Sequence, residues 1–96
     1  MTEEGQNGSG QDQELPNPSF QLLTAQFVTQ ALIELGEVPN PMSGETEVAL
    51  PRARFTIDML QIIRDKTEGN LTPEELQNLE SALFELRRKF VEKSGS

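Results

Sequence analysis

The sequence contains no cysteine, histidine, tryptophan or tyrosine among its 96 residues. Without cysteine the chain has no disulfides, thiolate nucleophiles or zinc–thiolate sites, and without histidine it lacks an imidazole base and the commonest metal ligand. We therefore expect a non-catalytic protein that holds no cofactor and no metal. Asp58 lies in an apolar stretch where a general base would fit, but a solvated position beside Arg54, four residues earlier on the same helix, is favoured.

Basic residues are missing from the first half of the chain. The formal charge of -8 arises in residues 1–50, which hold eight acidic and no basic residues, whereas residues 51–96 hold eight of each. Nucleic acid and anionic lipid repel such a chain, so we expect neither of them, nor a membrane, as the main partner. No export or transit signal is recognisable at the start, which together with the lack of cysteine predicts a cytoplasmic location.

The N-terminal segment has almost no apolar side chains. Residues 1–14 combine four acidic residues with no large apolar side chain after Met1. Such a composition cannot bury enough surface to offset the entropy lost on ordering, so residues 1–18 are predicted to form a disordered acidic tail. Residues 19–93 are then one small helical domain, and residues 94–96 a flexible C-terminus.

Hydrophobic periodicity predicts an all-α fold with three helices, at about 19–35, 51–67 and 72–93. Ser19 and Gly36 are suited to begin and end the first helix, and Pro51 to open the second. Thr72-Pro73-Glu74-Glu75 is a capping box at the start of the third. Helices 2 and 3 are joined by a connection short enough to make them an antiparallel hairpin. Between helices 1 and 2 runs a linker rich in turn residues, in which Val38 and Val48 are candidates for a small hairpin.

Helix 1 has apolar side chains on two sides, and helix 2 has a second apolar stripe beside its core-facing one. Polar residues interrupt helix 1 too often for a segment that spans a membrane, so we favour packing against protein. A small domain without disulfides or metal is also a candidate for self-association. We therefore predict a helical protein-interaction module that forms a homodimer or binds another protein. Its expected interface comprises Leu22, Phe27, Ile33, Phe55, Met59 and Ile62.

An alternative function is a nucleic-acid or ribosome accessory role that uses the basic end of helix 3. The phosphate contacts would come from Arg87, Arg88, Lys89 and Lys93. Three consecutive residues spread over about 200° of a helix, so the run from Arg87 to Lys89 does not form a single phosphate-binding face. A basic C-terminal turn also has a structural explanation, because it complements the helix dipole. Peripheral membrane contact through helix 1 is a weaker third option.

Three segments of the chain form a set of motifs: LGEVPNP at 35–41, IDML at 57–60 and KTEGNLT at 66–72. Together with the ending Leu86–Glu92, they resemble a family of small bacterial proteins described only as a domain of unknown function. The resemblance spans about residues 20–92, and KT-x-GNLT is its most specific part. It implies a bacterial cytosolic protein and offers no catalytic residues. Tyrosines are common in the family near the positions of Phe84 and Phe90.

Overall fold

The structure, a computed structural model, describes residues 15–95. This part of the chain folds into α1 (Phe20–Glu34), α2 (Leu50–Lys66) and α3 (Pro73–Ser94) and contains no strand. The predicted all-α class with three helices is confirmed, and each boundary lies within one residue of its prediction. The small hairpin considered for Val38 and Val48 is not formed. Residues 1–14 of the predicted tail lie outside the described residues, while residues 15–18 are exposed and non-helical.

The end of α1 is fixed by a glycine in the left-handed region. Gly36 has a φ of 77°, and its N–H donates to Ile33 while the N–H of Glu37 donates to Leu32. These two bonds satisfy carbonyls that the helix end would leave unpaired, as in a Schellman motif. A Cβ added at Gly36 would lie 2.8 Å from Cγ2 of Val48. The glycine therefore serves both the turn and the close return of the linker onto α1.

The antiparallel pairing of α2 and α3 is visible in two side-chain contacts. Arg64 bonds to Glu80 near the connection, and Gln61, one turn earlier on α2, accepts from Arg87, two turns later on α3. At the start of α3 the predicted capping box is present: Thr72 Oγ1 accepts from the N–H of Glu75, whose side chain accepts from the N–H of Thr72. The hairpin is therefore specified locally at the turn.

All three helices contribute to one hydrophobic core. Its fully buried apolar members are Ala31, Leu35, Ala53, Ile57, Leu60, Leu79, Leu83 and Leu86. A single polar side chain, that of Thr56, is buried among the described residues, and its hydroxyl donates to Glu34 Oε1 of α1 over 2.7 Å. The hydrogen bond satisfies the buried hydroxyl and joins α1 to α2. Leu23 of α1 lies about 80° around the helix from Ala31 and is nearly half exposed.

Candidate interaction surfaces

The predicted interface residues of α1 are largely covered within the domain. Phe27 packs against the core cluster, since it lies only about 40° around the helix from the buried Ala31. Leu22 and Ile33 lie on the other side of α1 and are half-buried. The predicted interface residues of α1 therefore offer little free apolar surface, and Phe27 is partly buried against the core.

The predicted interface residues of α2 form an exposed stripe. Phe55 is 66% exposed and Ile62 is 52% exposed, with the half-buried Met59 between them. We refer to these three residues as the α2 stripe. The stripe is flanked by Arg52 and Lys66, which continue its alternating spacing of three and four residues. Within residues 15–95 neither base forms an ion pair, so the stripe has positive charge at both ends.

A second apolar surface, on α3, was not predicted from the sequence. Phe84 and Val91 are each 66% exposed, and Leu76 is partly exposed two turns before Phe84. We refer to these three residues as the α3 stripe. The sequence signal that would have revealed it is the interval of seven residues between Phe84 and Val91, which lie beside the buried Leu79, Leu83 and Leu86.

The α3 stripe borders an open groove of about 570 Å³ between α2 and α3. Leu83, Phe84 and Val91 supply its apolar lining, and Gln61 and Arg64 of α2 lie along its far side. We refer to this feature as the α2–α3 groove. An open groove with an apolar floor and charged walls suits the binding of an amphipathic helix.

The charges along the α2–α3 groove are only partly neutralised. Arg64 bonds to Glu80 through Nε over 3.0 Å, and this hydrogen bond, followed by the attraction of the carboxylate, raises the pKa of Arg64 above its ordinary value. Arg87 donates from Nη2 to the neutral side-chain oxygen of Gln61. Within residues 15–95, Arg87 forms no ion pair. The groove therefore contains one arginine without a carboxylate partner.

The other residues proposed for phosphate contacts bind acidic side chains of the same chain. Arg88 forms ion pairs with Glu85, at 2.8 Å, and with Glu92. Lys89 and Lys93 lie 3.6 and 3.4 Å from the two carboxylate oxygens of Glu37, three residues after the end of α1. The four bases also divide between two sides of α3, since Arg87 and Arg88 line the groove and the two lysines approach Glu37.

The Glu37 carboxylate has a shifted pKa because of these lysines. Partial desolvation raises the pKa of Glu37, but charge attraction and hydrogen bonds with Lys89 and Lys93 outweigh it and hold the pKa below its ordinary value. A carboxylate with a lowered pKa in the folded state stabilises the fold above its unfolded pKa, and this contribution disappears as the pH falls through the folded pKa.

Glu37→Gln is therefore expected to lower the melting temperature at pH 7 and to have a smaller effect at pH 3, because the Glu37 carboxylate takes up its proton as the pH falls through its folded pKa. Thermal melting followed by circular dichroism at the two pH values measures this difference. Glu45→Gln is the matched control, because Glu45 lies in the same linker and forms no ion pair within the described residues. A deficit for Glu37→Gln that is equally large at both pH values would contradict the assigned ion pairs.

The candidate general base and the carboxylate positions can be located in the structure. Asp58, the one candidate base considered, is exposed and lies 3.9 Å from Arg54. Residues 15–95 contain no group of three histidine, cysteine, aspartate or glutamate side chains placed to hold a metal ion. Within the same residues, none of the helices has the length and apolar character needed to cross a membrane.

Comparison of the sequence with known protein families identifies a match to a family whose activity is not assigned. The family model of a domain of unknown function, DUF1844, matches residues 17–92. No curated protein and no solved structure matches the chain significantly. The matched range contains all three motifs that carried the resemblance, and the predicted assignment to a domain of unknown function is confirmed.

Proposed function

This chain belongs to the DUF1844 family of unknown function, and we propose that it is a non-catalytic helical module that binds protein and associates with itself. Under this proposal the protein acts in the cytoplasm of a bacterium. A cysteine-free chain is in keeping with a reducing compartment. The family supplies no activity, so the proposal depends on the surfaces of the domain.

The observation that best supports protein binding is the number of aromatic and aliphatic side chains that are exposed to solvent. Phe55, Ile62, Phe84 and Val91 are each more than half exposed, whereas eight apolar residues are buried within residues 15–95. Single exposed apolar residues are ordinary, but here they align in two stripes on neighbouring helices. Contiguous apolar side chains bordered by charged ones are typical of protein-binding surfaces.

The chemistry of the polar residues favours binding over catalysis. The carboxylates nearest the α2–α3 groove, Glu80, Glu85 and Glu92, form ion pairs with arginines of the same chain. A general base or nucleophile instead needs a perturbed group held against a substrate cavity. No acidic pair of that kind lines the groove.

The nucleic-acid alternative receives less support. A phosphate would have to displace Glu37 from Lys89 and Lys93, and Glu85 and Glu92 from Arg88. These acidic side chains would also repel the phosphate at short range. Of the four candidate bases, Arg87 alone has no carboxylate partner within the described residues, and a single arginine supplies little of the counterion release that drives such binding.

Sedimentation equilibrium of the full chain tests self-association. We expect a monomer–dimer equilibrium between about 1 and 100 µM, retained at 0.5 M salt because apolar contacts are not screened. A titration of single-stranded RNA under the same two salt conditions serves as the comparison. A chain that stays monomeric throughout, or that binds RNA in a strongly salt-dependent way, would contradict the proposal.

A further inference from the structure

We infer that the α2–α3 groove binds α3 of a second copy of this chain, in an antiparallel arrangement about a twofold axis near Phe84. This inference rests on the proposed self-association and specifies its surface. The choice between the two apolar stripes is made by charge, because an isologous dimer places each surface against itself.

The α2 stripe is not complementary to itself. Parallel pairing of two stripes would place Arg52 opposite Arg52 and Lys66 opposite Lys66. Antiparallel pairing would place Arg52 opposite Lys66 at both ends. Like charges that face each other across helices weaken association, and neither base has a neutralising carboxylate within residues 15–95.

The α3 stripe is complementary to itself in the antiparallel direction. A twofold axis at Phe84 places a residue that precedes Phe84 opposite the residue that follows it by the same number. Leu76, eight residues before, then lies near Val91, seven residues after. Glu80, four residues before, lies near Arg87, three residues after. In these two pairings an apolar residue meets an apolar one, and the acidic Glu80 meets the basic Arg87.

The contacts of Glu80 and Arg87 place both on the correct side of α3. Both residues bind side chains of α2, through Arg64 and Gln61, so both lie on the flank of α3 that faces the groove. The two copies of α3 lie side by side in one plane, and the twofold axis is perpendicular to that plane. Rotation about this axis leaves the flank that faces α2 on the same side of the plane in both copies. Glu80 of one copy therefore supplies the carboxylate that Arg87 of the other lacks within the described part of its own chain.

Two phenylalanines of equal exposure provide a matched test of the surface. Phe84→Ser is expected to raise the dimer dissociation constant by about tenfold or more, as removal of a central aromatic residue does. Phe55→Ser removes the same side chain from the α2 stripe, where it is also 66% exposed, and should leave the constant unchanged. Sedimentation equilibrium of the full chain measures both.

A charge exchange tests the antiparallel pairing. Glu80→Lys and Arg87→Glu should each weaken the homodimer, since each sets like charges opposite one another twice. Mixed together, the two variants should form a heterodimer in which both pairs are again opposite in charge. Native mass spectrometry separates the heterodimer from both homodimers by mass. Arg52→Glu, beside the α2 stripe, is the control and should dimerise like the wild type.

The outcomes separate this inference from the proposed function. A dimer that is lost in Phe55→Ser but intact in Phe84→Ser would overturn the α3 arrangement and leave self-association standing. A failure of the two charge variants to form a heterodimer would likewise overturn the pairing of Glu80 with Arg87. A wild-type chain that is monomeric would overturn both the inference and the proposed function.

Discussion

Leu60→Ala is expected to lower the free energy of unfolding by about 2–5 kcal/mol, and Ile62→Ala by less than about 1 kcal/mol. Leu60 is fully buried between the three helices, whereas Ile62 lies two residues away on the α2 stripe and is 52% exposed. Truncation of Leu60 removes apolar contacts and leaves a cavity that the helices only partly refill. Truncation of Ile62 leaves a shallower surface and no enclosed void.

Urea denaturation followed by circular dichroism measures both free energies. All proteins must be compared at one concentration, because dimerisation stabilises the folded state by mass action. The free energy of unfolding of a domain this small is itself only a few kcal/mol, so Leu60→Ala should be substantially unfolded in buffer. An Ile62→Ala variant that loses as much stability as Leu60→Ala would show that the α2 stripe belongs to the core.

Gly36→Ala is expected to destabilise the fold by about 2–4 kcal/mol, through two separate effects. An alanine at a φ of 77° is strained, and its Cβ would lie 2.8 Å from Val48 and 3.3 Å from the carbonyl oxygen of Glu47. The linker would have to move away from the end of α1. That movement would weaken the hydrogen bond from the N–H of Ala49 to Glu34, which sets the start of α2 against α1.

Gly44→Ala separates the two effects. Gly44 has a φ of 75°, nearly that of Gly36, but a Cβ added there meets nothing within 4 Å. We expect this control to lose about 1 kcal/mol, the cost of the left-handed backbone alone. The same denaturation measurement applies. If the two alanine variants are equally stable, the close packing of the linker on α1 is incorrect.

The sequence allowed the helices and the hairpin to be predicted because their signals are local. Ser19 accepts from the N–H of Leu22 and Thr72 from that of Glu75, as their residue types and positions predicted. Each cap depends on residues within one turn, so no knowledge of the fold is needed. The α2 stripe was also recognisable, because Phe55, Met59 and Ile62 form a second apolar row beside the core-facing row of the same helix.

Contacts between helices could not be predicted in the same way. Periodicity gives the direction of a side chain on its own helix but not the neighbour that it meets. The hydrogen bond of Thr56 with Glu34 joins residues 22 positions apart, and the pairing of Glu37 with Lys89 and Lys93 spans even longer separations. Part of the basic end of α3, which resembled a phosphate-binding site, is therefore paired with Glu37, a residue far away in the sequence.

The α3 stripe was missed for a related reason. Phe84 and Val91 lie beside the buried Leu79, Leu83 and Leu86. The spacing of these leucines is enough to predict an amphipathic helix, so the two exposed residues add nothing to that prediction. Their exposure depends on where α2 packs, and the contacts of Arg64 with Glu80 and of Gln61 with Arg87 show which flank of α3 faces α2. Only the assembled hairpin shows that one flank of α3 borders an open groove.

The distance between identical positions on α3 in the dimer tests the central claim most directly. The chain has no cysteine, so a single introduced cysteine gives one spin label per copy. In an antiparallel pair about Phe84, the axial separation between equivalent residues grows by ~3 Å per position, which gives ~9 Å for Ser81→Cys and ~30 Å for Ser94→Cys. Pulsed electron spin resonance should therefore find a short distance at 81 and a long one at 94. Equal distances at the two positions, or no dipolar coupling at either, would contradict the antiparallel α3 dimer.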